Sequence, residues 1–152
     1  MKTATTVTIS GLGRIPVSTE SMLLDSGVWI AADKPSERFT ESAREVVANL
    51  RRRTAALDLT VFEVVNVVGA SGGDVAGAVA LCRSIEVRCE EALIRIDHGL
   101  LSAMAEIAVE HRLTSYDAAY VAVARRHEWT LVSTDIRDLV SQGLAITPDA
   151  AV

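Results

Sequence analysis

Residues 113–135, LTSYDAAYVAVARRHEWTLVSTD, decide the fold. From Ser115 onwards the apolar residues recur with the helical period, which predicts a helix over 115–128. The short apolar run at 130–133 predicts a buried strand, and Asp135 follows it closely. A helix joined to a strand by so short a connection is typical of folds in which helices and parallel strands alternate.

The same alternation extends along the chain from Met22. Short apolar runs predict strands, and the longer amphipathic segments between them predict helices. The predicted strands cover 22–24, 56–59, 93–96, 130–133 and 144–146, and the predicted helices cover 36–53, 74–93, 98–112 and 115–128. This pattern predicts an α/β fold of three layers, with a central parallel sheet flanked by helices on both faces.

The chain has 152 residues, a length that fits one domain. We expect this domain to cover residues 22–152, because the periodic apolar pattern begins at Met22. Residues 1–21 are expected to form an N-terminal appendage, either disordered or folded as a short hairpin that turns between Gly11 and Gly13.

Composition excludes several classes of protein. No run approaches the roughly 20 apolar residues of a membrane span, and the N-terminus lacks the apolar stretch of a secretion signal, so we expect a cytoplasmic protein. The net charge of −5 argues against a basic face for nucleic acid, and an aromatic content of 4% argues against an extended stacking platform. Contact with nucleic acid through bound cations stays open, because the ions would supply the positive charge.

Acidic residues stand at corresponding places around the predicted sheet. Asp25 ends the first strand, Glu63 opens the helix after the second, and Asp135 ends the fourth. Asp117 lies in the first turn of a helix that runs back from the same edge of the sheet. Because ligands bind at the carboxyl ends of parallel strands, we expect these carboxylates to converge there.

Each acid also has a local explanation. The patterns Thr-x-x-Glu at 60–63 and Thr-x-x-Asp at 114–117 resemble capping boxes, and Asp25 and Asp135 could each cap the helix that follows. Taken singly, the capping role is the favoured one. Taken together, ionised carboxylates in one place would repel one another unless a cation binds. Mg²⁺ and Mn²⁺ prefer oxygen ligands and can promote phosphodiester cleavage, so the joint placement predicts a metal site.

The segments LLDSGVWIAA, LTVFEVV and LTSYDAAYVAVARRHEWTLVSTDIRDL closely resemble the PIN domain, in particular the VapC-type toxins of toxin–antitoxin pairs. The resemblance runs from Met22 to about Thr147. It implies a parallel-sheet ribonuclease that depends on Mg²⁺ or Mn²⁺, forms a homodimer and is silenced by a small VapB-like antitoxin.

The same resemblance implies roles for individual residues. The catalytic, metal-binding acids implied by the match are Asp25, Glu63, Asp117 and Asp135. Ser26 and Ser133 are implied to be polar residues that steady these acids.

Further residues near these positions are weaker candidates. Asp138 could assist a second metal, although a place in a helical first turn explains it as well. Lys34, Arg38 and Arg137 follow the acids in sequence and could contact substrate phosphates, with a solvated surface as the alternative. Residues 51–53, three arginines, are predicted to end a helix at the opposite edge of the sheet.

Two other functions are compatible with acids at strand ends. A phosphoacceptor domain would need a lysine late in the chain, and the lysines here are Lys2 and Lys34. A PIN-like module that binds without catalysis is disfavoured by the presence of all the acids. Hydrolysis of RNA is the function that the sequence predicts best.

Overall fold

The computed structural model describes residues 20–35 and 38–152. The hairpin predicted within the first 21 residues lies outside the described part of the chain, so the division at Met22 stays a prediction.

A parallel sheet forms the centre of the molecule. Its strands are β1 (Ser21–Leu24), β2 (Arg53–Leu57), β3 (Leu93–Ile94) and β4 (Thr130–Val132), in the order β3-β2-β1-β4. Every pair is parallel; Leu23, for example, is aligned with Ala55 of β2 and Leu131 of β4. The fifth predicted strand is reduced to one parallel bridge between Val132 and Ile146.

Helices fill the connections. They are α1 (Ser26–Asp33), α2 (Thr40–Ala48), α3 (Asp58–Val64), α4 (Val75–Cys89), α5 (Leu101–His111), α6 (Ser115–His127) and α7 (Pro148–Ala151). Two π-helical segments, Val65–Ser71 and Ile136–Val140, follow α3 and β4. Short 3-10 turns occur at Glu90–Ala92 and His98–Leu100.

Apolar side chains pack on both faces of the sheet. One cluster contains Trp29 of α1 and Ile85 of α4, and the other contains Tyr120 of α6 and Leu139. The sheet therefore lies between two helical layers, which confirms the predicted three-layer α/β fold. Within the described ranges, no helix is long and apolar enough to cross a membrane.

The region between α2 and α3 differs from the prediction. Helix α2 ends at Ala48, and Arg53 is the first residue of β2, so the prediction that residues 51–53 end a helix is wrong. The predicted strand over 56–59 is also shifted, because β2 ends at Leu57 and α3 begins at Asp58. Residues 55–56, two alanines, have little strand propensity, and their pairing with a buried neighbouring strand overrides it. The arginines still lie at the edge opposite the acids, because a parallel strand starts there.

Candidate functional site

The predicted acids follow the carboxyl ends of the parallel strands. Asp25 comes directly after β1, and Asp135 lies just beyond the end of β4. Glu63 is in α3, which follows β2, and Asp117 is in the first turn of α6, which runs back towards the start of β4. One correction concerns Glu63, which stands next to the end of α3 and not at its start.

Asp25 is buried and held by two hydrogen bonds. Its residue surface is 7% exposed. One carboxylate oxygen accepts from the backbone N–H of Val28 at 3.1 Å, and the other accepts from the hydroxyl of Ser133. The Ser133 oxygen in turn accepts from the backbone N–H of Asp135 at 2.9 Å. Ser133 thus connects the ends of the neighbouring strands β1 and β4 and fixes the orientation of the Asp25 carboxylate.

Burial raises the pKa of Asp25 to about 7. The charges of Glu63 and Asp117 contribute to this rise in the pKa, while the hydrogen bonds from Ser133 and Val28 oppose it. Three of the predicted acids are therefore close enough to act on one another electrostatically, and their mutual repulsion adds to the cost of desolvation.

Glu63 is oriented by a chain of hydroxyl groups. The phenol of Tyr120 donates to Glu63 Oε2 at 2.6 Å, so the contact of 2.8 Å between Tyr120 and Thr60 must be a donation from the threonine. The Thr60 oxygen accepts from the backbone N–H of Leu57 at 3.2 Å. Burial raises the pKa of Glu63, the Tyr120 and Ser26 hydroxyls oppose the shift, and the charge of Asp117 adds to it.

Tyr120 and Thr60 were not predicted as parts of the site. A signal exists in their spacing, since Tyr120 lies three residues after Asp117 and Thr60 three before Glu63, which places each on the same helical face as the acid. The predicted capping box at 60–63 is wrong, because the residue that precedes α3 is Leu57 and Thr60 is already inside the helix.

Capping roles are confirmed at the other positions. Asp25 caps α1 through Val28. Thr114 caps α6: its oxygen accepts from the backbone N–H of Asp117 at 3.2 Å, and its hydroxyl donates to the Asp117 carboxylate at 2.7 Å. Asp135 accepts from the backbone N–H of Asp138 at 2.9 Å and caps the π-helical segment after it. A carboxylate that caps with one oxygen keeps lone pairs for a cation, so the two roles are compatible.

The donor set fits a hard divalent cation. All four predicted ligands are carboxylates, and Mg²⁺ typically takes one or two of these and completes its shell with water and phosphate. In residues 20–35 and 38–152, no three His, Cys, Asp or Glu side chains are close enough to hold one ion together. Asp25, Glu63 and Asp117 are instead linked by their charges, and Asp135 is linked to Asp25 through Ser133.

The residues predicted to assist a second metal or to contact substrate phosphates lie in different parts of the structure. Asp138 receives a bidentate pair from Arg137 at 2.7 and 2.8 Å, and this pairing lowers the pKa of Asp138. Lys34 caps the far end of α1, roughly 13 Å along the axis from Asp25 at about 1.5 Å per residue. Arg38 is exposed, and its guanidinium lies 5.0 Å from the ring centre of Phe39.

Comparisons with known proteins give one family match and several structures of similar fold. The PIN domain family model matches residues 22–140. FitAcB from Neisseria gonorrhoeae has a similar structure, with a TM-score of 0.65 and 20% identity over 84% of this chain and 97% of the other. A toxin–antitoxin complex from Klebsiella pneumoniae gives a TM-score of 0.62 and 20% identity over 84% of this chain and 97% of the other. No curated protein matches the chain in sequence.

A third similar structure carries a more specific description. VapC20 from Mycobacterium tuberculosis, described as a sarcin-ricin loop cleaving toxin, gives a TM-score of 0.60 and 17% identity over 74% of this chain and 86% of the other. The match over 22–140 covers most of this chain, and the parallel sheet flanked by helices agrees with it. The chain therefore belongs to the PIN domain family.

Proposed function

We propose that this chain is an endoribonuclease that depends on Mg²⁺ or Mn²⁺ and serves as the toxin of a toxin–antitoxin pair. The observation that carries the proposal is the burial of Asp25 next to the charges of Glu63 and Asp117. Such an arrangement destabilises the ionised carboxylates unless a cation binds between them. Membership of the PIN domain family supports nuclease activity, and one similar structure is described as a toxin that cleaves the sarcin-ricin loop.

The residues that would hold the metal are Asp25, Glu63, Asp117 and Asp135. A bound Mg²⁺ or Mn²⁺ would lower the pKa of a water molecule and stabilise the charge of a phosphodiester transition state. The protein contributes the orientation of its ligands: Ser133 and Val28 hold Asp25, and Tyr120 holds Glu63. Thr114 fixes Asp117 in the same way.

We further propose that a small VapB-like antitoxin inhibits the enzyme at this site. The acids and the net charge of −5 make the metal-free site strongly negative, and low-dielectric walls would focus that field. Arginine matches carboxylates bidentately, so an arginine of the partner would both neutralise the acids and exclude the metal. One of the similar structures is described as a toxin–antitoxin complex. A homodimer located in the cytoplasm, where the RNA is, completes the proposal.

The test is cleavage of single-stranded RNA by the purified chain with Mn²⁺, with EDTA, and with the variant Asp25→Asn. Cleavage should require Mn²⁺ and should be lost in the variant. A matched control is Asp74→Asn, because Asp74 also caps a helix but is exposed at the start of α4. Cleavage that persists in EDTA would contradict the proposal, and metal-dependent RNA binding without cleavage would favour the non-catalytic PIN-like module.

A further inference from the structure

A cavity of about 420 Å³ opens beside the acids. Residues that line it include Ser26, Gly27, Arg38, Val67, Thr134 and Ile136. The first two directly follow Asp25 in the chain, and the last two flank Asp135. The start of α1 and the segment after β4, which lie next to Asp25 and Asp135 in the chain, therefore form part of the cavity wall, so a molecule bound at these two acids would lie beside the cavity.

The lining has the chemistry of a small-ligand site. Ile30, Ala31 and Phe39 supply an apolar floor, and the hydroxyls of Ser26 and Thr134 are the polar groups nearest to the acids. Pockets of roughly 300–1,000 Å³ with apolar walls and a few polar groups are typical of sites for small molecules and cofactors. The cavity lies at the lower end of that range, which suits one nucleobase with part of its sugar.

Gly27 sets the boundary between the cavity and the acids. A Cβ at this position would meet the Thr134 hydroxyl and would lie 3.3 Å from the Asp25 carboxylate. The first turn of α1 can approach the loop after β4 only because this side chain is absent. The close approach puts Thr134 at the cavity wall and within reach of a group bound at Asp25.

Arg38 supplies a positive charge at the mouth of the cavity. The guanidinium lies over the Phe39 ring, and within residues 20–35 and 38–152 it takes part in no ion pair. A flat guanidinium and a neighbouring ring offer both hydrogen-bond donors and a stacking surface to a nucleobase. In a chain of net charge −5, a cation at this position is better explained by an acceptor-rich ligand than by general attraction to phosphate.

We propose that this cavity binds one nucleobase of single-stranded RNA, next to the phosphate held at the acids, and thereby sets the base preference of cleavage. The base stacks between the apolar floor and the rim, and its hydrogen-bond acceptors face Arg38. The inference rests on the proposed nuclease function, and it adds the part of the substrate that is recognised and the residues that recognise it.

The variant that tests the cavity is Val67→Phe. Val67 belongs to the π-helical segment Val65–Ser71, lines the cavity and is 44% exposed, so a larger side chain can fill the space without entering the core. Val65→Phe is the matched control, since Val65 lies in the same segment with 47% exposure and does not line the cavity. Arg38→Gln removes the charge and keeps a polar chain of similar length.

The measurement uses a random-sequence library of single-stranded RNA cleaved in Mn²⁺. The wild type should prefer one base at one position beside the cleaved bond, Val67→Phe and Arg38→Gln should weaken that preference, and Val65→Phe should keep it. An oligonucleotide with the preferred sequence is then compared with its counterpart that is abasic at the preferred position. Loss of the base should lower the wild-type kcat/KM at least about fivefold, the lower end expected for one stacked base. In Val67→Phe the two oligonucleotides should be cleaved equally well.

The experiment separates failure of the nucleobase site from failure of the proposed nuclease function. A wild type that cleaves with a base preference unchanged by Val67→Phe, or changed equally by Val65→Phe, would overturn the inference and leave the nuclease function standing. A wild type that cleaves no RNA in Mn²⁺ would overturn both. The oligomeric state of Val67→Phe and of Val65→Phe is measured by sedimentation in the same experiment. A change in Val67→Phe alone would mean that the cavity is a contact between copies of the chain, which would also overturn the inference.

Discussion

Helices α1 and α4 are each preceded by an aspartate that caps the helix, but one aspartate is buried and the other is exposed. Asp25 caps α1 by accepting from Val28 N–H at 3.1 Å, and Asp74 caps α4 by accepting from Gly77 N–H at 2.8 Å. Asp25 is buried and is acted on by the charges of Glu63 and Asp117, whereas Asp74 is exposed. Because the cap is the same, any difference between the two acids in activity or stability must come from their surroundings.

Cleavage is where the two acids should differ most. Asp25→Asn should lower the rate of RNA cleavage in Mn²⁺ by about 100-fold or more, because charge stabilisation by a catalytic ion is worth several kcal/mol. Asp74→Asn should change it by less than about twofold, since asparagine caps a helix as well as aspartate does. Single-turnover kinetics on a labelled RNA measure both. Equal losses would mean that Asp25 acts only as a cap.

Without metal, Asp25→Asn should be more stable than the wild type, although it should be less active. In EDTA at pH 8, Asp25→Asn should raise the free energy of unfolding, because the amide keeps the cap and removes a charge that is repelled by its neighbours. The gain should be on the order of a few kcal/mol, since each pKa unit corresponds to about 1.4 kcal/mol. Denaturant unfolding of this variant and of Asp74→Asn, which should be nearly unchanged, provides the measurement.

The pH dependence of that gain follows from the pKa of Asp25. Burial raises it from 3.8 to about 7, so between these values the unfolded chain releases a proton that the folded protein keeps. Folded wild type therefore loses stability as the pH rises from about 4 to about 7 and stays at the lower level above it. The advantage of Asp25→Asn should be absent below about pH 4 and complete by pH 8. A gain that does not vary with pH would exclude this titration as its cause.

Added metal should act in the opposite direction and favour the wild type over Asp25→Asn. Mn²⁺ should stabilise the wild type by about 2.7 kcal/mol at 100 times its Kd, because it binds the folded form alone. It should stabilise Asp74→Asn equally and Asp25→Asn much less. Melting curves in Mn²⁺ and in EDTA compare the three, and stabilisation of Asp25→Asn equal to that of the wild type would place the metal elsewhere.

The smallest effect is expected at the hydroxyl that orients Glu63. Tyr120→Phe removes the donor to Glu63, and loss of such a supporting hydrogen bond typically lowers metal affinity by about 10-fold to 100-fold. The Mn²⁺ concentration for half-maximal cleavage should rise accordingly, with a smaller change in the maximal rate. Tyr116→Phe is the control, because Tyr116 is exposed on the same helix. An unchanged Mn²⁺ dependence in Tyr120→Phe would show that Glu63 needs no orientation.

The sequence could predict the fold and the positions of the acids because both depend on topology. A buried parallel strand followed by an acid places that acid at one edge, which is how Asp25 and Asp135 were found. The start of β2 could not be predicted, because the alanines at 55–56 have little strand propensity and are in a strand only because β2 pairs with β1. The contact of Tyr120 with Glu63 was missed because it joins two helices. The cavity was missed because α1, parts of two π-helical segments and residues between elements form it together.

The hydrogen bond from Ser133 to Asp25 has a consequence for synthesis of the chain. It joins residues 108 apart in sequence, and β4 is the last strand of the described sheet to be made. Until that strand has left the ribosome and paired with β1, Asp25 has no partner on its open side and Asp135 has no fixed place. The proposed ribonuclease would thus be without a working centre for most of its own translation. Activity would begin only after β4 has paired with β1 and brought Ser133 and Asp135 to Asp25.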